Sequence, residues 1–559
     1  MATTQPSIVA ETVRVPPHRT FAPTSFWARA LTPSFSDCFF IFLFVWLFLA
    51  GPQGWNALLA DADIGWHIRT GQWILANHAV PTHDLFSFSK AGAPWFAWEW
   101  LSDVIFASLF GAAGMKGVLL VTGIVLASYS TIVVRHAFWR GANAMVALPL
   151  ALLGVGSSTV HFLARPHIFT LLLLASSLWL VELDRRRPTR WIWVLIPLTV
   201  VWINLHGGFF MFMACLAVIA IGAAVEAMLG SGSVREARWA TVRRYIILLA
   251  GCGAASLVNP YGINLHKHIA EYLSSDWIRN NIQEFMAPTF RTEGQRQFEI
   301  VLIIGLLVVA PLLRKRRIAD ALLILFLAHS SLMSVRHATI FCLACVPLIA
   351  EEISCQWSAL STRMPRKSIL ATLHSMGSDL AKPFRRSTAW IPVTLLIVAL
   401  APLSWPTDFP KVVFPTDLVN QHAGLLQSSR VLTTDQWADY LIFRFYPRQK
   451  VYVDGRSDFY GEQLGNEYLH LLQLAPGWEQ TLARRGFDAV LLPPHWPLVQ
   501  MLKSSPQWRV EADTTTAVLF LRRADSSSVA GVNASPTGSF VLKNTRTEPN
   551  ENLQQRRSL

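Results

Sequence analysis

Between residues 58 and 75 the chain reads LLADADIGWHIRTGQWIL, which places Asp61 and Asp63 one residue apart and follows them with His67 and Arg69. A carboxylate can take the proton of a hydroxyl group as that group attacks an electrophilic carbon. Arg and His beside it can hold an anionic leaving group, Arg through a bidentate fork on phosphate. Two neighbouring carboxylates can equally ligate a divalent cation. Asp61 and Asp63 are therefore candidates for a general base and, if a metal is used, for its ligands. Similar residues recur in short motifs along the chain: Glu99 in APWFAWEWLSD, Arg165 and His167 in HFLARPH, His206 in NLHGG, Tyr261 in NPYG, and Arg336 with His337 in SVRHA. Trp66, Trp73, Trp95, Trp98 and Trp100 could stack on a sugar ring. The six cysteines add little, since Cys342 and Cys345 of CLAC lie inside an apolar run, where packing is the expected role.

What must position these residues is a membrane. Of 559 residues, 52% are hydrophobic and 15% charged, against about a quarter charged in an average soluble protein. Apolar stretches long enough for a hydrocarbon core about 30 Å thick recur at 37–52, 116–134, 143–160, 167–182, 191–205, 208–229, 245–259, 299–313, 319–334, 338–353 and 388–404. The fold class expected is an α-helical polytopic membrane protein of about eleven spans. The first span, with no cleavage pattern before it, is expected to be retained. The net charge of +13 comes from short basic clusters between spans, which argues for topology and against nucleic acid as partner.

Basic clusters also decide the ambiguous segment 97–113, which is apolar but carries Glu99 and Asp103. If it lies in the interface, Arg14, Arg19 and Arg29, the loops 135–142, 183–190, 230–244 and 354–387, and RKRR at 314–317 all share one side. The positive-inside rule makes that side cytoplasmic, with residues 1–36 as a cytoplasmic N-terminal segment. If it spans, the N-terminus falls out of phase with every later loop. The interfacial placement is therefore preferred, with Glu99 and Asp103 on the wet face of that helix. It sends the outer loop 53–115, HFLARPH, NLHGG, the stretch from NPYG to Phe298, and SVRHA to one extracytoplasmic face. Polar groups at the ends of packed spans are costly unless they line a wet cavity, so these segments are read as one site.

The chain divides accordingly into 1–36, a membrane domain 37–404, a small extracytoplasmic α/β domain at 405–525, and a tail at 526–559 whose composition predicts disorder. In the α/β domain RVLTTDQWADYLIFRF, KVYVDGRSDFYG, FDAVLLPP and AVLFLRR read as strand-like runs and 465–485 as helical. Asp454 and Arg456 are expected to make a turn and an ion pair.

On the outer face no nucleotide-activated donor is expected, and activated sugars there ride on polyprenyl phosphate. Asp61 or Asp63 would act as the base. His67, Arg69, Glu99, Arg165, His167, His206, Tyr261, Arg336 and His337 would hold the donor phosphate or substrate. The order DADIGWHIRTGQWIL, VPTHD, APWFAWEWLSDVIFASLFG, then a span ending VVRHAFWR resembles the layout of the GT-C superfamily of membrane glycosyltransferases over residues 37–170. That superfamily includes protein O-mannosyltransferases and lipid A aminoarabinose transferases. The resemblance implies a polyprenyl-phosphate-linked sugar donor, a lipid, glycan or protein acceptor, a multi-pass cell-membrane location, and a catalytic acidic residue best matched by Asp61, with Asp63 the alternative. This chain has Asp-x-Asp where the family commonly has Asp-Glu or Glu-x-Asp, and some relatives bind a divalent metal there. Two other classes compete. A transporter would need repeats and midplane charge that are not evident, and a non-catalytic envelope-assembly protein should be insensitive to loss of Asp61.

Overall fold

The computed structural model describes residues 33–50, 54–365, 368–381, 390–401 and 404–523. Of the expected segment 1–36 only residues 33–36 are described, and the tail at 526–559 lies outside the described residues. Each expected apolar stretch falls on a helix over most of its described residues. Five helices are long and apolar enough to cross a membrane: Trp100–Trp139, His167–Arg186, Phe209–Leu229, Glu293–Arg314 and His337–Ser361. Shorter apolar helices are Phe35–Phe48, Ala144–Ser157, Arg190–Leu205, Ile318–Met333 and Trp390–Leu400. The stretch at 245–259 forms the second half of Gly232–Ala255. The first half of that helix takes in the basic segment expected as a loop, because Arg, Glu and Ala are good helix formers.

The helix Trp100–Trp139 contains both the ambiguous segment and the span that follows it. It is broken at Ala113 and Gly114, where Gly114 has a φ of 60°. Unbroken, a 40-residue helix would be about 60 Å long, twice the hydrocarbon thickness. The break separates residues 100–112 from the apolar run beyond and gives the two parts different directions.

Several arginines of the basic loops are paired with acids. Arg140 reaches Glu182 at 3.0 Å and Glu351 at 2.7 Å. Arg185 reaches Asp320 at 2.6 Å, Arg317 reaches Asp320 at 2.7 Å and Glu351 at 2.8 Å, and Arg244 reaches Asp184 at 2.9 Å. This network ties together the ends of several helices. The same helices place His167 and His337 at their other ends, His337 lying roughly 20 Å along the axis from Glu351. One end of the bundle is thus a closed ion network and the other is where the conspicuous motifs collect. The CLAC cysteines are buried in packing, with Cys342 Sγ 3.0 Å from Ser157 Oγ.

The C-terminal region is α/β, as expected, with different boundaries. Its sheet has the order β1-β2-β4-β3, with β1 Val431–Thr433, β2 Ala489–Leu492, β3 Trp508–Asp513 and β4 Val518–Arg522. Strands β1 and β2 are parallel, whereas β4 is antiparallel to both its neighbours. Residues after β1 turn helical as Asp435–Phe445, with Thr434 accepting the Trp437 N–H at the N-cap. The segment at 450–455 joins no strand of the sheet. It pairs with the first outer loop instead, through Phe88 N–H to Val451 O and Val451 N–H to Phe86 O, both 2.9 Å. The domain therefore packs onto the outer loop, and their buried side chains form one continuous core.

Candidate active site

The helix Asp63–Asn77 is the centre of the site, because it is pressed between the membrane bundle and the C-terminal domain. On one side Gly71 lets it touch the helix Trp100–Trp139. A Cβ there would lie 1.9 Å from Asp103 O. That approach brings His67 Nδ1 to 2.6 Å from Asp103 Oδ1. At the start of the helix Asp61 Oδ1 accepts the Asp63 N–H at 2.8 Å, while the Ala62 N–H donates to Gln436 Oε1 at 3.0 Å.

Three main-chain hydrogen bonds assemble the charges. Ala164 N–H donates to Leu58 O at 2.9 Å, which sets Arg165 beside the two aspartates. Val335 N–H donates to Met286 O and Arg336 N–H to Glu284 O, which sets Glu284 beside Arg336. The result is a cluster in which Arg165 meets Asp61 at 2.9 Å, Asp63 at 2.5 Å and Glu284 at 3.0 Å. The guanidinium is therefore neutralised by carboxylates and is not a free phosphate cation. Burial disfavours its charge, but the surrounding acids overcome this and hold it protonated well above its ordinary range. Burial would also raise Glu284, yet Arg165 and Arg336 hold it well below the usual carboxylate range.

Asp63 lies deeper than Asp61. Burial, only partly opposed by Arg165, pushes it up to about 7. Its buried Oδ1 faces the buried Oδ2 of Asp439 from the C-terminal domain; the two carboxyls share a hydrogen bond in which one is the protonated donor, and neither oxygen has another partner among the described residues. Both oxygens crowd Gly455, whose own N–H donates to Asp439 Oδ1 at 3.1 Å. A Cβ on Gly455 would lie 2.4 Å from Asp63 Oδ1 and 2.7 Å from Asp439 Oδ2. Gly455→Ala is therefore expected to cost about 1–3 kcal/mol of stability through overpacking, measured as a lowered thermal midpoint of the purified protein in detergent.

These groups open onto a cavity of about 400 Å³ lined by Asp61, Asp63, His67, Glu99, Arg165, His167, His206, Arg336 and His337 among the expected residues, and by Trp66, Trp95 and Trp98. Glu99 sits between two imidazoles, 3.6 Å from His67 Nε2 and 3.5 Å from His206 Nε2. Because His206 Nδ1 accepts the Gly208 N–H at 2.9 Å, its ring proton faces Glu99. Burial pushes Glu99 up to about 8 and drives His67 and His206 well below the ordinary histidine range, so near neutrality all three are uncharged. Asp103, expected on a wet face, is fully buried on His67. His167 Nε2 donates to His161 O at 2.7 Å, and His337 Nδ1 lies 2.8 Å from Ser330 Oγ. Arg336 is engaged more loosely than Arg165. It lies over the Phe285 ring at 4.5 Å and 4.0 Å from Glu284, with no side-chain hydrogen bond among the described residues.

Two expected residues fall outside the cavity. Arg69 is used by the protein itself, with Nε donating to Phe443 O at 2.8 Å and Nη1 to Gln72 at 2.8 Å. Tyr261 accepts the Ala97 N–H at 2.8 Å and donates to Pro81 O at 3.0 Å, fastening two turns of the outer loop. Both are corrections: backbone carbonyls and amides, which a sequence does not display, claim these side chains. Conversely, sequence reasoning missed His161, Glu284, Asp439 and Asp458. His161 was visible in the HFLARPH motif, whereas the other three carry no local signal. For a divalent ion to be held by Asp61 and Asp63 it would have to displace Arg165, and among the described residues no three His, Cys, Asp or Glu converge as a metal site.

No family model matches the chain, and no curated protein matches it. Among solved structures, it is similar to the crystal structure of the Archaeoglobus fulgidus oligosaccharyltransferase in complex with Zn and sulfate. The TM-score is 0.45 at 11% sequence identity, covering 82% of this chain and 68% of that one.

Proposed function

We propose that this chain is an integral membrane glycosyltransferase that moves a sugar from a polyprenyl-phosphate donor to an acceptor hydroxyl on the extracytoplasmic face, inverting the anomeric carbon. The observation that carries this reading is the single cavity in which a carboxylate pair and three tryptophans of the segment 53–115 meet Arg336, which comes from a distant part of the chain. In this reading the N-terminus is cytoplasmic, the C-terminal domain is extracytoplasmic, and the donor's phosphate lies at headgroup depth in the cell membrane.

Asp61 is assigned as the base. Asp63 is the poorer choice because its Oδ1 is turned to Asp439 and Gly455 and its proton is retained to about 7. Asp61 keeps part of its carboxylate accessible, its side chain being 16% exposed. It would take the acceptor hydroxyl proton as the oxygen attacks the anomeric carbon and the bond to phosphate breaks. A single displacement of this kind inverts the centre. Arg165 holds the carboxylates in place. Arg336 would receive the departing phosphate through its guanidinium. Arg336→Gln is accordingly expected to cut turnover about 10²–10³-fold, as for loss of one charge-stabilising donor, and to raise KM for the donor. Initial rates with a synthetic polyprenyl-phosphate sugar at graded concentrations test this; an unchanged donor KM and turnover would remove Arg336 from the site.

A further inference from the structure

We infer that Ser457 and Asp458 of the C-terminal domain, with Trp98 and Tyr272, form a subsite for a neutral sugar ring in the wall of the cavity, an inference that rests on the transferase reading. All four line the cavity. The C-terminal domain is thus part of the cavity's own wall and not an appendage beside it.

The segment that carries Ser457 and Asp458 is rigidly held. Gly455 is bonded to Asp439. Arg456 is buried, with Asp454 at 2.8 and 2.7 Å, Asp84 at 2.8 Å, and the rings of Phe86, Trp95 and Phe459 around its guanidinium. Because these acids consume its charge, the segment offers no cation to a phosphate. What it does offer is the Ser457 hydroxyl, which is hydrogen-bonded to the Tyr272 phenol and positions it, and one carboxylate oxygen. Asp458 Oδ2 is taken by His268 Nε2 at 2.9 Å, while Oδ1 has no hydrogen bond among the described residues. His268 itself is fixed by stacking on Phe96 at 4.7 Å. Trp98 lies next to both, with His268 and Tyr272 each perpendicular to its ring at 6.0 Å.

A sugar ring has hydroxyls on its rim and an apolar C–H face. A carboxylate oxygen, a serine hydroxyl and a phenol beside an indole match both features. At Tyr272 the charges are Arg336 against Asp458 and Glu284, so the wall carries no net cation to hold an anion, whereas a hydroxyl-rich neutral ring needs none. The ring could belong to the donor or to a glycan acceptor, and the chemistry is the same for either.

The test uses the purified full-length chain in nanodiscs, with methyl glycosides of glucose, mannose, galactose and N-acetylglucosamine as probes. Binding is read by tryptophan fluorescence and saturation-transfer NMR. The expected result is saturable binding of at least one probe, weakened about tenfold or more by Asp458→Asn and likewise by Trp98→Phe, with both variants melting as wild type does. Should Asp458→Asn fail to fold, Trp98→Phe and Ser457→Ala carry the test. Binding of no probe, or equal binding by wild type and the folded variants, overturns the subsite. Under turnover, a raised KM for the acceptor alone assigns the ring to the acceptor, and a raised KM for the donor alone assigns it to the donor. If the wild type binds probes in an Asp458-dependent way yet transfers nothing, the subsite stands and the transferase reading falls. If the wild type transfers sugar while Asp458→Asn matches it in binding and in both KM values, the reverse holds.

Discussion

Asp61→Asn protein is expected to transfer sugar about 10²–10⁴-fold more slowly than wild type, the usual range for losing a positioned general base. The amide is nearly isosteric with the carboxylate. Its oxygen can still accept from Arg165 or from the Asp63 N–H, so the fold and the donor affinity should be largely kept. What the amide lacks is the basicity to take the acceptor proton. Asp63→Asn should be the milder change. The carboxyl of Asp63 already keeps its proton to about 7, so near neutrality the amide resembles the state present in the wild type. Initial rates at saturating donor, measured on both variants after matching membrane level and thermal midpoint, decide the assignment. A dead Asp63→Asn beside an active Asp61→Asn would exchange the two roles.

The largest effect on stability is expected at Arg165. Replacing it with Met leaves Asp61, Asp63 and Glu284 facing one another without the cation that all three share. Breaking a buried ion pair by removing one partner costs about 3–5 kcal/mol. Because the Arg165 side chain is 24% exposed, the lower end, about 3 kcal/mol, is appropriate. Arg165→Lys should be intermediate, since one ammonium cannot reach three carboxylates in the planar geometry of a guanidinium. Adding Asp61→Asn to Arg165→Met should recover part of the loss, because one of the stranded acids is then removed. Thermal unfolding of the detergent-solubilised proteins, followed by size-exclusion fluorescence, reads all three variants. A wild-type midpoint for Arg165→Met would mean the cluster contributes nothing to stability.

Much of this site was legible because membrane proteins carry few polar residues. Asp61, Arg165, His206 and Arg336 stood out against apolar surroundings, and the basic clusters placed their segments on one face. The structure brings those segments to one cavity. Individual partners were not legible. Arg69 and Arg165 look alike in sequence, yet Arg69 ends on the Phe443 carbonyl and Arg165 on three acids. Asp103 has the spacing of a wet helix face, and only the close approach at Gly71 reveals that it is buried on His67. Asp84 and Arg456 are paired at 2.8 Å across 372 positions of the chain, a contact that no local pattern announces. The YVDGR stretch has the alternation of a strand but pairs with the outer loop, because the sheet's own order is set by residues farther along.

The measurement that tests the central claim most directly is a mass profile of envelope glycolipids and glycoproteins from cells lacking the gene, complemented with wild type or with Asp61→Asn at equal membrane level. The account predicts that wild type restores one defined sugar mass increment, while Asp61→Asn leaves the unmodified acceptor accumulated as in the deletion. A profile restored equally by both proteins, or one that the deletion never altered, would contradict it.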